Sequence, residues 1–409
     1  MKLTLDPGLK YFPGTQRVFD PETSLARTKD MLPEIGVTRI ASITDLDRVG
    51  IPVFSAVRPS AARGAISIYS GKGASETVAR ISAIMESFER CLAEQPEVSM
   101  NLKGVDIACE RRTGTYEKSR DDSLNPNELL LPMPLLAGTV LEWVGGWDLL
   151  REEDVFVPAN AVFHPYVPAG GMPLFRSNTN GLAAGNTMEE AVLHGLLEVI
   201  ERDALGIAES TKNPGRELIV NDGVNRELMK KFDDAGVAVK LWLLDSDIDI
   251  PTVVAALDDP VLRDPALLVM GAGSHLKPEI AASRALTEAA QSRVVQIHGA
   301  REDTNRESIV RTIGYERLRR MNGYWYGTGD SIRIDQLEDS SSDSPARNIE
   351  TVLERLGDPA ERAIIVDLSR KGVKVPVIRA IIPTFELFTI DRERRGARLA
   401  KAKNRAVAR

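Results

Sequence analysis

The chain has little of what most metal and redox proteins are built from: only two cysteines, Cys91 and Cys109, and four histidines in 409 residues. The cysteines stand at no metal-ligand spacing, so a His/Cys metal centre and a disulfide framework are both excluded. Cys91 lies beside an apolar helix stripe and reads as a buried small residue. No run approaches the roughly 18 apolar residues of a membrane helix. The opening Met1-Lys-Leu-Thr-Leu-Asp-Pro has no signal-peptide core. The net charge of −7 gives no general nucleic-acid surface. A cytoplasmic protein is expected, with neither a membrane nor a nucleic acid among its partners. The two familiar nucleotide signatures are missing as well. Gly71-Lys72-Gly73 lacks the earlier glycine and the following Ser/Thr of a P-loop, and no G-x-G-x-x-G follows a strand.

What the chain has is a repeat. Ser82-x3-Glu86-x2-Glu89-Arg90 recurs 112 residues later as His194-x3-Glu198-x2-Glu201-Arg202. A third, worn copy, Arg284-x3-Glu288-x2-Gln291, follows after another 90 residues. Each copy follows glycines: Gly71-Lys72-Gly73, Gly185-Asn186 and Gly271-Ala272-Gly273. Residues advance about 100° around a helix, so each set shares one face. In the first copy the apolar stripe is read as Val78, Ile81, Met85, Phe88 and Leu92, with Glu89 at its edge rather than opposite, where a solvated carboxylate would sit. Ala79 and Ser82 leave room there for a ligand.

Paired carboxylates without His or Cys suit a hard, oxygen-seeking cation, chiefly Mg²⁺, which keeps waters and shares its shell with phosphates. Lys72, Arg90, Arg202 and Arg284 then neutralise phosphate charge, and the glycine loops present helix N-termini to anions. Thr187 reads as the cap of the second helix, with Glu190 placed for a capping box. Strands are expected over 38–43, 52–57, 65–69, 139–144, 155–157, 237–244, 252–257, 266–270, 363–367 and 375–382, with helices over 75–94 and 278–298. The fold class is therefore α/β, built from repeated strand–glycine loop–helix units near 65–95, 174–205 and 266–298 around a nucleotide–Mg site. Residues 10–390 are expected to form one domain. Residues 391–409 are a basic tail, read as solvated or frayed, or else as a docking surface for an acidic partner.

Together, Ser70-Gly-Lys-Gly with Ser82-Ala-Ile-Met-Glu-Ser-Phe-Glu-Arg, Asn180-Gly-Leu-Ala-Ala-Gly-Asn-Thr with His194-Gly-Leu-Leu-Glu-Val-Ile-Glu-Arg-Asp, and Arg284-Ala-Leu-Thr-Glu-Ala-Ala-Gln resemble the YcaO superfamily. The resemblance spans about Lys10 to Glu386. It implies an enzyme dependent on ATP and Mg²⁺ that activates a peptide-bond oxygen by phosphorylation. It implies that Glu86, Glu89, Glu198 and Glu201 hold Mg²⁺, and that Lys10, Arg17, Ser82, Asn186, Glu190, Arg202, Arg284 and Glu288 line the nucleotide. No catalytic acid or base is assigned.

Azoline-forming members usually end in Pro-x-Pro-x-Pro and carry a leader-peptide-binding domain, whereas here Val375-Pro-Val-Ile-Arg-Ala-Ile-Ile-Pro runs into a basic segment. The stretches 38–59 and 366–370 resemble members that work with TfuA-type partners and make thioamides from an external sulfur source. The expected substrate is a glycine of the methyl-coenzyme M reductase α subunit, the expected partner a TfuA-like sulfur-delivery protein, and the expected assembly a homodimer. The alternatives are an azoline- or thioamide-forming enzyme acting on a ribosomal peptide, and a non-enzymatic nucleotide-binding scaffold.

Overall fold

The computed structural model describes residues 2–170, 172–299 and 306–408. The first third contains α1 (Pro21–Lys29), β1 (Arg39–Ser42), β2 (Val53–Val57), β3 (Ile68–Lys72), α2 (Glu76–Leu92), β4 (Arg111–Thr115) and α3 (Tyr116–Ser119). The middle contains β5 (Val140–Asp148), β6 (Glu153–Pro158), β7 (Leu182–Ala184), α4 (Met188–Thr211), β8 (Arg216–Ile219), α5 (Gly223–Asp234), β9 (Ala238–Leu243) and β10 (Thr252–Asp258). The last part contains β11 (Met270–Ser274), α6 (Pro278–His298), α7 (Arg306–Ile313), α8 (Tyr315–Met321), β12 (Ser331–Arg333), α9 (Pro345–Leu356), β13 (Ile364–Asp367), β14 (Val377–Ile381) and α10 (Ala397–Ala408). No helix among the described residues is long and apolar enough to cross a membrane.

The strands form three sheets: β1-β2-β3, β11-β10-β9-β8-β12, and β4-β5-β13-β14-β7 with β6 paired to β5. Pairing is antiparallel except between β8 and β12. The repeated units are β3–α2, β7–α4 and β11–α6, and each unit's strand is the last in its own sheet. Each helix packs on its own strand and also touches the strand of the next unit: α2 meets β7, α4 meets β11 and α6 meets β3. The three sheet edges therefore close into a ring, which covers backbone that would otherwise be left unpaired. Two side chains at equivalent repeat positions complete the closure. Glu201 Oε2 accepts from the backbone N–H of Ser274 at 3.1 Å, and Gln291 Nε2 donates to the carbonyl of Ser70.

The glycines make this packing possible, which corrects their reading as anion-binding loops. Gly71 lies within β3, and Gly271 and Gly273 lie within β11, one turn later than the strand expected over 266–270, where a short 3-10 turn (Pro265–Leu267) stands instead. A Cβ on Gly71 would sit 2.0 Å from the nitrogen of Ala83 and 2.3 Å from the oxygen of Ala79; on Gly271 it would sit 2.2 Å from the nitrogen of Ala289. The helix face against the strand is thus the small-residue ridge Ala79, Ala83 and Ser87, all fully buried. The expected stripe is displaced accordingly. Val78 is 38% exposed, and Ala79 makes room for the strand rather than for a ligand.

The segment after Ile390 is ordered against the body rather than frayed. Glu386 accepts from the N–H groups of Gly396 and Leu399, both at 2.8 Å, and so holds the start of α10. Arg398 forks onto Asp203 of α4 at 2.9 and 2.7 Å. Two of the basic residues, Arg394 and Arg398, are thus structural, whereas Arg392, Arg395, Lys401, Lys403 and Arg405 remain exposed.

Gly71→Ala is expected to lower unfolding free energy by about 1–3 kcal/mol, because helix backbone cannot yield to the new methyl group. Gly323→Ala, where nothing lies within 4 Å, is expected to change it by no more than about 0.5 kcal/mol. Equal denaturant midpoints for the two variants would contradict the close-packing role.

Candidate active site

Ser75 caps α2 by accepting from Val78, and Thr187 caps α4 by accepting from Glu190. These caps start both helices at matched positions, so their glutamates meet at the centre of the ring. Arg90 donates to Glu86 Oε1 from Nε at 2.8 Å and from Nη2 at 2.6 Å, and lies 3.6 Å from Glu89. Across the ring, Arg202 Nη2 stands 3.2 Å from Glu201 and 3.6 Å from Glu288, and Arg284 stands 3.8 Å from Glu201. Lys72, at the end of β3, pairs with Glu288. One cation each from the first, second and third units therefore converges on carboxylates of the second and third.

The electrostatics separate carboxylates that the repeat makes look alike. Burial pushes Glu89 well above the usual carboxylate range, and Glu86 and Glu198 add to this against the opposing pull of Arg90 and Arg379. Burial also raises Glu198, opposed by Arg202 and reinforced by Glu201. Burial acts on Glu288 too, but Lys72, Arg202 and Arg284 outweigh it and hold this carboxyl down at about 2. Glu288 is already compensated by fixed cations, whereas Glu89 is pushed up further by Glu86 and Glu198, and Glu198 by Glu201 and Glu86.

Among the described residues, no group of three or more His, Cys, Asp or Glu side chains is gathered tightly enough to hold a metal by itself. Mg²⁺ takes one or two carboxylates and completes its shell with waters and phosphate oxygens. Glu86, Glu89, Glu198 and Glu201 are the carboxylates available to it, with Lys72, Arg202 and Arg284 available to phosphate. When bound, the ion would neutralise phosphate charge and orient the γ-phosphoryl group.

A second group of candidates gathers at the start of α4. Glu190 accepts from the N–H of Asn186 at 3.0 Å, from its Nδ2 at 3.1 Å, and from the N–H of Val18. The expected capping box is thereby corrected: Glu190 reaches back past the capping residue, because the N-terminal segment offers it a second donor. Arg17 comes in with this segment, and after burial the charges of Arg284, Arg17 and Lys72 keep His194 well below its usual range. Ser82 is half-buried on the α2 face that carries Glu86. Lys10 lies apart, exposed and paired with Asp343 at 2.6 Å.

Sequence reasoning missed Arg379. It is 2% exposed, donates to the carbonyls of Val162 (3.1 Å) and Asn180 (2.6 Å), and its charge faces Glu198 and Glu89. The signal was a lone arginine within Val377-Ile-Arg-Ala-Ile, an otherwise apolar strand. His275 was also missed. It is buried in the same cationic field and lowered to about 3, by burial first and by Arg284 next.

Residues 70–386 match the family model described as YcaO cyclodehydratase, ATP- and Mg²⁺-binding. A structure of YcaO from Methanopyrus kandleri bound with AMPPCP and Mg²⁺ is 32% identical and superposes with a TM-score of 0.76, covering 93% of this chain and 95% of that one. An uncharacterized protein of Methanothermobacter thermautotrophicus is 49% identical over 93% of this chain and 97% of its own length. A protein of Rhizobium leguminosarum bv. trifolii described as lying in the tfuA 3' region is 30% identical over 91% of this chain and 89% of its own. A ring of strand–helix units closing on paired carboxylates, with this kinship, defines an enzyme that uses ATP and Mg²⁺ without a P-loop. The chain belongs to the YcaO family, whose members are ATP-dependent enzymes that activate an amide.

Arg202→Lys is expected to weaken ATP binding by about 1.5–3 kcal/mol, since an ammonium cannot reproduce a forked, charge-assisted contact. Calorimetry measures this directly, and an unchanged nucleotide affinity would place Arg202 outside the site.

Proposed function

We propose that this enzyme replaces the oxygen of a backbone amide by sulfur. The observation that carries the reading is the gathering of Glu86, Glu89, Glu198 and Glu201, among which neighbouring carboxylates add to the raising of Glu89 and Glu198, beside Lys72, Arg202 and Arg284, which pair with Glu288 and Glu201. In this assignment Glu86, Glu89, Glu198 and Glu201 hold Mg²⁺. Lys72, Arg202, Arg284, Glu288, Ser82, Asn186, Glu190 and Arg17 line the nucleotide, whereas Lys10 is paired away with Asp343. Hydrosulfide adds to the amide carbon, and the carbonyl π pair becomes an oxyanion. The oxyanion attacks the γ-phosphorus and ADP departs. The sulfur loses its proton, C=S forms, and the C–O bond breaks to release phosphate. The sum is amide, HS⁻ and ATP giving thioamide, ADP and phosphate. Phosphorylation is the necessary step, because an amide oxygen is a poor leaving group.

Both cysteines support an external sulfur source. Burial first, with Glu94 adding for Cys91 and Asp367 for Cys109, pushes each thiol up to about 12. Neither is a thiolate at neutral pH, and the thiolate is the reactive form. The Rhizobium relative's place beside tfuA supports a TfuA-type protein as the sulfur-delivery partner. In this reading the substrate is a glycine of the methyl-coenzyme M reductase α subunit, as the resemblance of the stretches 38–59 and 366–370 implies. Intact-mass analysis separates the outcomes: a thioamide adds about 16 Da, and a cyclodehydration removes about 18 Da.

Glu86→Gln and Glu201→Gln are each expected to abolish ATP turnover with the fold intact, because an amide keeps the volume but not the charge that Mg²⁺ requires. Full hydrolysis with normal Mg²⁺ dependence in both variants would remove the metal assignment. The Cys91→Ala, Cys109→Ala double variant is expected to incorporate isotope-labelled sulfide into substrate. In the parent protein, a pKa raised to about 12 keeps both thiols protonated, so iodoacetamide should leave them unmodified until the pH nears that value or the chain unfolds. A folded, ATP-hydrolysing double variant that incorporates no label would point to a protein persulfide instead.

A further inference from the structure

Most of the glutamates at the centre of the ring have a cation at hand. Glu86 and Glu89 have Arg90, Glu201 has Arg202 and Arg284, and Glu288 has Lys72 and Arg202. Glu198 differs: among the described residues it forms no ion pair. One hydrogen bond orients it instead, from the backbone N–H of Gly181 to Oε1 at 3.3 Å. No described residue bonds to Oε2, so one oxygen of this carboxylate is fixed and the other is uncommitted.

The Gly181 N–H is placed by Arg379 and its strand. Arg379, on β14, is buried and donates through all of its side-chain nitrogens to carbonyls: Nε to Val162 at 3.1 Å, Nη1 to Asn180 at 2.6 Å, and Nη2 to Asn178. The next residue of the strand, Ala380, donates its N–H to the carbonyl of Gly181 at 2.7 Å. The carbonyls of Asn178, Asn180 and Gly181 are thus all tied to β14, and the turn between them is fixed. Gly181 sits at φ +74°, and a Cβ there would lie 2.2 Å from the oxygen of Ala380 and 2.7 Å from Val199 Cγ2. Only glycine fits that approach. With its nitrogens committed to carbonyls, Arg379 pairs with no carboxylate among the described residues, although its charge lies toward Glu198 and Glu89.

We propose that Arg379 is a positioning residue for the metal: it fixes the turn over 178–181, the turn aims the Gly181 N–H at Glu198 Oε1, and Oε2 is left for Mg²⁺. A guanidinium bonded to carbonyls on two segments cannot swing onto Glu198 and occupy it as a salt bridge. Groups that orient a ligand without touching the metal set affinity by about 10–100-fold. The inference rests on the Mg²⁺ assignment above and is independent of which nucleophile attacks the amide.

The test uses the full chain, a non-hydrolysable ATP analogue, and Mn²⁺ as the probe, with bound metal read by electron paramagnetic resonance. Arg379→Lys keeps the charge but loses the planar fork. Gly181→Ala displaces the N–H while Arg379 stays in place. Each is expected to bind Mn²⁺ about tenfold more weakly. Affinity for the analogue without a divalent ion should stay at the parent value, a split that a general loosening of the fold would not give. Parental Mn²⁺ affinity in either folded variant overturns the assignment, and so does an equal loss of nucleotide affinity. Where neither variant folds, a crystal structure of the parent with the analogue and Mg²⁺ decides. Oε2 on the metal, with Oε1 still on the Gly181 N–H, is the expected result. A metal on Oε1, or Arg379 paired directly with Glu198, overturns the inference and leaves the metal assignment standing. A parent with no metal at these glutamates removes both.

Discussion

The site depends on the approach of helix backbone to strand backbone at glycine. Where Gly71 meets Ala79 and Ala83, and Gly271 meets Ala285 and Ala289, the absence of a Cβ brings each helix close enough to reach the next unit's edge strand. The ring closes for this reason, and only a closed ring brings Lys72, Arg202 and Glu288 from three separate units into contact. The chemistry thus follows from a packing constraint that itself touches no substrate.

Once the ring is closed, fixed cations decide what each carboxylate does. Glu288 stands among Lys72, Arg202 and Arg284, and behaves as a structural counter-ion. Glu89 is raised by Glu86 and Glu198, and Glu198 by Glu201 and Glu86, so both feel neighbouring carboxylates more than Glu288 does. A divalent cation among them would relieve that repulsion. The same three cations that hold Glu288 are the groups able to take over phosphate oxygens. Nucleotide binding would then be an exchange of one anion for another rather than the burial of bare charge.

Much of this was legible in the sequence, and the misses have physical causes. The repeat fixed which residues share a helix face, because helical period is a local property. It could not show which face meets the sheet. The apolar stripe Val78, Ile81, Met85 is more prominent than the ridge Ala79, Ala83, Ser87, yet the ridge is buried because small residues allow the closer approach. The glycines were visible, but their role was decided by a partner helix beyond the local window. Arg379 was inconspicuous because it acts from a strand outside the repeat. The basic segment gave only its charge, and the order in it comes from Glu386 and Asp203, which are distant in sequence.

The worn third copy has a consequence for how the units arose and what they tolerate. At equivalent positions Glu201 receives a proton donor from Ser274, whereas Gln291 supplies one to Ser70. The two junctions have opposite polarity. A ring of three identical units could not satisfy both, since a carboxylate facing the Ser70 carbonyl would set two acceptors against each other. The glutamine at this one position therefore marks the third unit. That segment is no longer interchangeable with the second, and a chain with those two transposed would meet itself with mismatched hydrogen-bonding edges before any question of catalysis arose.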